Sequence, residues 1–234
     1  MAQRWTLITG GSGGLGIHVT RAFLERGDHI VAPVVDDAHA TRMHGELKDL
    51  LQGDASRMQT PVADMSAEPE VARVVAMLPR IDAAALLVGG FAMGETAEFA
   101  VDDLRAQLEL NVVTAFTVIK HVLPAMRREG YGRIVTVGSR AAVQPTAGMA
   151  AYAAAKAGVV ALTRAVADEA RGTDITANCV LPSIIDTPAN RKAMGDTEAE
   201  RWAKPDRLAQ TILHLCSAAA GDIRGAAVPC YGSV

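Results

Sequence analysis

The chain has 234 residues, 50% of them hydrophobic and only 4% aromatic, with 23 Lys and Arg against 26 Asp and Glu for a formal net charge of −3. Charges of both signs are interspersed, which argues against nucleic acid or an anionic membrane as partner, and no apolar run approaches the roughly 18 residues of a membrane-spanning helix. The length and the Ala-, Val- and Leu-rich composition suit one α/β domain over 1–234, a buried parallel sheet flanked by helices packed through small residues.

Trp5-Thr6-Leu7-Ile8-Thr9 reads as a buried strand and runs straight into Gly10-Gly11-Ser12-Gly13-Gly14-Leu15-Gly16. Leu15, Val19, Ala22 and Phe23 then recur at helical spacing. Strand, glycine turn and helix together leave unpaired helix N–H groups and the positive dipole end at the turn, ready for a phosphate. His29 to Val35 reads as a second strand, Thr60 to Ala63 as a short third, and Ala84 to Val88 as a fourth ending in Gly89-Gly90. Leu104, Leu108, Val112, Ala115, Phe116 and Ile119 mark a long helix with Asn111 inside it. Arg133 to Gly138 is a fifth strand that delivers Ser139 at its carboxyl end, where open α/β sheets bind ligands. The next helix carries Tyr152 and Lys156, with Val159, Leu162 and Val166 on its apolar side. Ile175 to Leu181 is a sixth strand ending in Pro182, Arg207 to Ser217 a helix, and Ala226 to Val228 a last strand. This alternation predicts right-handed βαβ units in a single sheet, without linker or repeat. The irregular stretch at about 183–205 is a surface connection or, since it follows a strand's carboxyl end, a lid.

Tyr152 and Lys156 lie four apart in Y-A-A-A-K and so share a helix face. A free tyrosine has a pKa of about 10; a nearby ammonium favours the phenolate and lowers it, which suits general acid/base work. With Ser139 upstream and a nucleotide turn at the other end of the chain, the set can move a proton beside a hydride. Cys179, Cys216 and Cys230 are odd in number and widely spaced, and the six histidines are scattered singly. No metal site is expected, and reduced thiols without a signal-peptide pattern suit a cytoplasmic protein.

In these motifs the chain resembles the short-chain dehydrogenase/reductase family over nearly its full length: Thr9-Gly10-x-x-x-Gly14-x-Gly16, Asp64, Asn111, Ser139, Tyr152, Lys156 and the segment from Pro182 to Thr187, in the family's order. The resemblance implies a single doubly wound Rossmann-fold domain, a seven-stranded parallel sheet with helices on both faces, that binds NAD or NADP. It implies Tyr152 as proton donor or acceptor, Lys156 lowering its pKa and holding the nicotinamide ribose, Ser139 on the reacting oxygen, and Asn111 keeping a proton-relay water in line. For the cofactor it implies contacts from Gly10, Ser12, Gly14, Leu15 and Gly16 of the turn, from Val35 and Asp36, and from Asp64 at the adenine. Gly89, Gly90, Pro182, Ile185 and Thr187 would complete that surface. Three places depart from the family pattern. Leu87-Val88-Gly89-Gly90 replaces Asn-Asn-Ala-Gly, Ser183 replaces a glycine, and the cofactor-selecting positions fall on uncharged Val34 and Val35. Val88-Gly89-Gly90-Phe91 and Leu181 to Pro188 look like the branch containing dihydropteridine reductase.

Asp36 and Asp37 lie just past the cofactor-selecting positions, and no Lys or Arg occurs between Gly27 and Thr41, so NAD is favoured over NADP unless Arg42 folds back. Gly89 to Gly94, Ala141 to Val143, Met149, Met194 and Trp202 offer an apolar surround, which suits a small or flat neutral carbonyl or alcohol. Arg140, Arg191 and Lys192 offer a modest basic entrance for an acyl carrier. Apolar residues on more than one face of the helices around Asn111 and Tyr152 predict a homotetramer or dimer. The alternatives are dihydropteridine reduction and a non-catalytic dinucleotide-binding regulator.

Overall fold

A computed structural model describes residues 3–234. β1 (Trp5–Thr9), β2 (His29–Val31), β3 (Met58–Gln59), β4 (Ala83–Leu86), β5 (Tyr131–Val137), β6 (Asp174–Pro182) and β7 (Ala227–Cys230) form one parallel sheet in the order β3-β2-β1-β4-β5-β6-β7. The order reverses at β1, between β2 and β4, so a crevice opens outside the carboxyl ends of the central strands. Successive side chains on a strand point to opposite faces, and the core divides accordingly. Leu7, Ala84 and Ile134 join one layer with Val71 and Val74 of α3 (Glu68–Val75), Val118 and Val122 of α5 (Thr114–Glu129) and Val166 of α6 (Ala150–Glu169). Ile8, Ala85 and Val135 join the other with Val19 and Phe23 of α1 (Gly16–Arg26), Met43 of α2 (Asp37–Glu46) and Ile212 of α8 (Pro205–Leu215).

The strand limits differ from the sequence reading for a local reason. β2 stops at Val31 and β3 at Gln59 because Pro33 and Pro61 have no N–H to give the ladder. The chains stay side by side beyond the prolines, where Val34 and Val62 form an isolated bridge. β4 begins one residue early and ends at Leu86, although Leu87 N–H still reaches Thr9 O at 3.1 Å. The long helix is α4 (Val101–Leu108) continued into α5 through a π-helical turn at Glu109–Val113. The stretch after β6 is not irregular: it contains α7 (Pro188–Met194) and a short 3₁₀ turn at Ala199–Arg201.

Two helices, Val101–Glu129 and Ala150–Glu169, are by length and composition apolar enough to cross a membrane, contrary to expectation. Each buries one face on the sheet, α5 through Val118, Val122 and Met126 and α6 through Val159, Val160 and Val166. Apolar residues on their outer faces raise the total.

Candidate active site

The glycine turn leaves β1 with Gly10 at φ +69°, and a Cβ on Gly16 would sit 2.0 Å from Gly10 O. Only glycine fits there, so the first turn of α1 rests directly on the backbone of the loop. Gly14 lies against the segment after β6: its Cβ position is 2.9 Å from Thr187 Cγ2. The backbone N–H groups opening α1 have no side-chain cap and no acidic residue in the first turn. A strand-to-helix turn of this form fits a dinucleotide pyrophosphate.

The chemistry-bearing side chains gather at the carboxyl ends of β4 and β5. The π turn adds one residue to the helix and carries Asn111 inward, where it is buried. Its Nδ2 donates to Gln107 O (2.9 Å) and Gly90 O (3.2 Å), and its Oδ1 accepts from Gly90 N–H (3.2 Å). Asn111 therefore pairs with Gly90 as a strand neighbour would, and holds the loop where the expected asparagines are missing. Lys156 Nζ donates to Val137 O at 2.9 Å. A Cβ on Gly89 would lie 2.7 Å from Asn111 Oδ1 and 2.9 Å from Lys156 Nζ, so both groups close on a bare backbone.

Ser139 follows β5, and its Oγ accepts from Ala141 N–H at 3.1 Å, which orients the hydroxyl. Tyr152 is half-buried; Phe91 meets its ring edge-on at 5.0 Å between centroids, and Lys156 Nζ lies 5.9 Å from the ring centre. Burial pushes the Tyr152 phenol above its ordinary pKa, and the Ser139 hydroxyl pulls only partly against it. Lys156 is not among the groups that shift the phenol in this structure. The ammonium gives one of its three donors to Val137 O, and burial brings Lys156 itself down to about 8. Nothing in the spacing of Phe91 along the sequence marks its contact with Tyr152.

The residues expected to face a cofactor fall at the same end of the sheet. Val35 is exposed after β2, and Asp64 is exposed past the Val62 bridge, its carboxylate accepting from Ser66 N–H (2.9 Å) and Oγ–H (2.7 Å). Asp36 is not free to face a ribose with its whole carboxylate. It caps α2, accepting from His39 N–H at 2.8 Å and meeting the His39 ring at 2.7 Å. Pro182 ends β6, and Ser183 Oγ donates to Tyr231 O at 2.6 Å, so the hydroxyl in the glycine's place ties down the start of the segment that follows. Thr187 caps α7, and Ile185 pairs with Ala203 in an isolated bridge that joins the two ends of this segment. Asp186 accepts from Arg191 Nε (2.6 Å) and Nη2 (2.9 Å) and from Lys204 Nζ (2.9 Å). Met194 is exposed at the end of α7, whereas Trp202 is buried beside Gly232, away from the open face where it was expected.

A nucleotide-binding turn at a sheet's switch point, with a serine, a tyrosine and a buried lysine beside it, defines an α/β oxidoreductase. The profile described as short chain dehydrogenase matches residues 4–198, and the chain belongs to that family, whose members act on CH–OH and C=O groups with NAD(P). It is 29% identical over 237 residues to 3-oxoacyl-(acyl-carrier-protein) reductase FabG of Thermotoga maritima, covering 97% of this chain and 96% of that one. A short-chain dehydrogenase/reductase family oxidoreductase from Burkholderia thailandensis superimposes with a TM-score of 0.88 at 31% identity, covering 99% of this chain and 92% of that one. Levodione reductase superimposes with a TM-score of 0.90 at 26% identity over 98% and 96%.

Proposed function

We propose that the chain is an NAD(P)-dependent carbonyl reductase in which Tyr152 exchanges the proton, with Ser139, Lys156 and Asn111 as its partners. The bound nicotinamide supplies the hydride on reduction or accepts it on oxidation. The observation that carries the reading is the convergence of Tyr152, Ser139, Lys156 and Asn111 on the end of the sheet that also carries the glycine turn. Ser139 holds the reacting oxygen, and Tyr152 gives it a proton. A phenol raised by burial stays protonated at neutral pH and can serve as the proton donor. Lys156 and the remaining Oδ1 lone pair of Asn111 face the same point above Gly89 and suit a relay that reprotonates the phenol.

The substrate is a small or flat, mostly neutral carbonyl compound. Phe91, Met93, Val143 and Met194 are exposed apolar residues at this end of the sheet. Of the basic residues at the entrance, Arg191 is held by Asp186, and Arg140 by Gln144 (2.9 Å) and the Tyr231 ring. Lys192, the third of them, is exposed. The unpaired thiols of Cys179, Cys216 and Cys230 fit a reducing, cytoplasmic setting. Exposed Val101, Leu108, Leu110, Val113 and Phe116 support a homotetramer or dimer.

The test follows nicotinamide absorbance with a panel of planar ketones, alcohols, a quinonoid pterin, a sugar phosphate and an acyl thioester. Turnover of planar ketones is expected, and Tyr152→Phe is expected to lower it about 10²–10⁴-fold while dinucleotide binding persists. Residual activity above a tenth of the parent removes Tyr152 from the role. Turnover of charged substrates alone overturns the substrate reading.

A further inference from the structure

We propose that Arg42 is the cofactor-selecting residue of this protein and that its guanidinium binds the 2′-phosphate of NADP(H), making NADP(H) the preferred dinucleotide. The proposal rests on the dinucleotide-binding reading above and reverses the preference that the acids after β2 suggest.

The geometry begins with the residue beside it. Met43 is fully buried, and its Cε lies 3.1 Å from where a Cβ on Gly11 would stand, so α2 is seated on the glycine turn itself. Arg42 is thereby carried over the turn, and its Nη2 donates to Ser12 O at 2.6 Å. That contact uses one donor of five and anchors the fork. Nε stands 3.8 Å from Glu46, and the side chain remains 53% exposed, so the other donors are open to a ligand. The turn receives the pyrophosphate, and the ribose of the adenosine half reaches the end of β2. A guanidinium bonded to the turn and rooted in the helix after β2 spans the two places a 2′-phosphate lies between, and its planar fork suits a phosphate.

The acids that should oppose this are engaged or turned outward. Asp36 meets the first turn of α2 through Oδ1, which accepts from His39 N–H and from the His39 ring, and those bonds hold its carboxyl below the usual range. Asp37, in that first turn, is exposed to solvent. Val34, at the position where a carboxylate would meet the 2′-hydroxyl, is buried, and Val35 offers no charge. Of the groups around this corner, Arg42 is bonded to the phosphate-binding loop, whereas Asp36 is bonded to its own helix.

The experiment is calorimetric titration of the full chain with NADPH and with NADH, for the parent, Arg42→Ala and Arg42→Lys, with thermal melts to verify folding. NADPH is expected to bind the parent more tightly than NADH. Arg42→Ala should weaken NADPH about 10- to 100-fold, the scale of one charge-assisted contact, and leave NADH within about twofold. Arg42→Lys should recover part of the loss, because a point charge remains without the fork. Equal or tighter NADH binding by the parent overturns the proposal, as does an equal loss for both cofactors in Arg42→Ala. Binding of neither overturns this proposal together with the oxidoreductase reading. Discrimination at Arg42 without turnover of any carbonyl leaves this proposal standing and overturns only the other.

Discussion

Lys156 shows what this site costs the fold. Burial brings its ammonium down to about 8 from 10.5, so below pH 8 the folded state holds a charge that water would solvate better. The unfolded chain binds that proton more tightly, and stability tied to this group therefore rises with pH between about 8 and 10.5. Lys156→Met should stabilise the protein by roughly 1–3 kcal/mol at pH 7 while abolishing turnover, and the gain should shrink at pH 9.5. Denaturant unfolding at both pH values measures it; a variant less stable than the parent at pH 7 contradicts the argument. At this scale, the identities of Ser139, Tyr152 and Lys156 were legible because spacing along one helix and one strand end places them. The direction of the Tyr152 shift was not, because desolvation and the contact with Phe91 depend on packing between distant segments.

The elements were legible wherever an apolar face repeats. α2 and α3 escaped notice because α2 buries only Met43, and α3 only Val71 and Val74, too few for a periodic signal. The π turn leaves no mark in composition, yet it aims Asn111. The segment after β6 is held by charges: Arg191 first, then Lys204, keep the Asp186 carboxyl far below the usual carboxylate range. A depressed carboxylate stabilises above its unfolded pKa, so this clasp is intact from about pH 4 upward and weakens only in stronger acid. Asp186→Asn should loosen the segment at neutral pH without unfolding the domain. Trypsin should then cut after Arg191 or Lys192 several-fold faster, and substrate KM should rise more than kcat falls. Unchanged cleavage would show that the Ile185–Ala203 bridge and the Thr187 cap hold the segment by themselves.

For the molecule as a whole, alternation of strand and helix was enough to read a parallel sheet covered on both faces, and the glycine turn located its active end. Assembly is written less plainly, because residues that pack on the sheet and residues that pack on a neighbour are equally apolar. Val113 and Phe116 stand three apart on the outward side of the helix, both exposed, while Val118, Val122 and Met126 face the core. Phe116→Glu should leave the fold and its melting intact but divide the assembly, shifting the mass seen by light scattering toward a single chain. A parent that is already monomeric at micromolar concentration refutes the interface.

Gly89 has no side chain to do chemistry, yet the site closes around it. One added methyl would press on Asn111 Oδ1 and Lys156 Nζ together, and moving either would disturb the pairing with Gly90 or with Val137. In a library of every single substitution selected for turnover, position 89 should therefore be as empty as position 152, with even Gly89→Ala depleted. Selected for abundance alone, position 89 should tolerate more than position 16. The contrast would separate a glycine that the reaction requires from one that the fold requires.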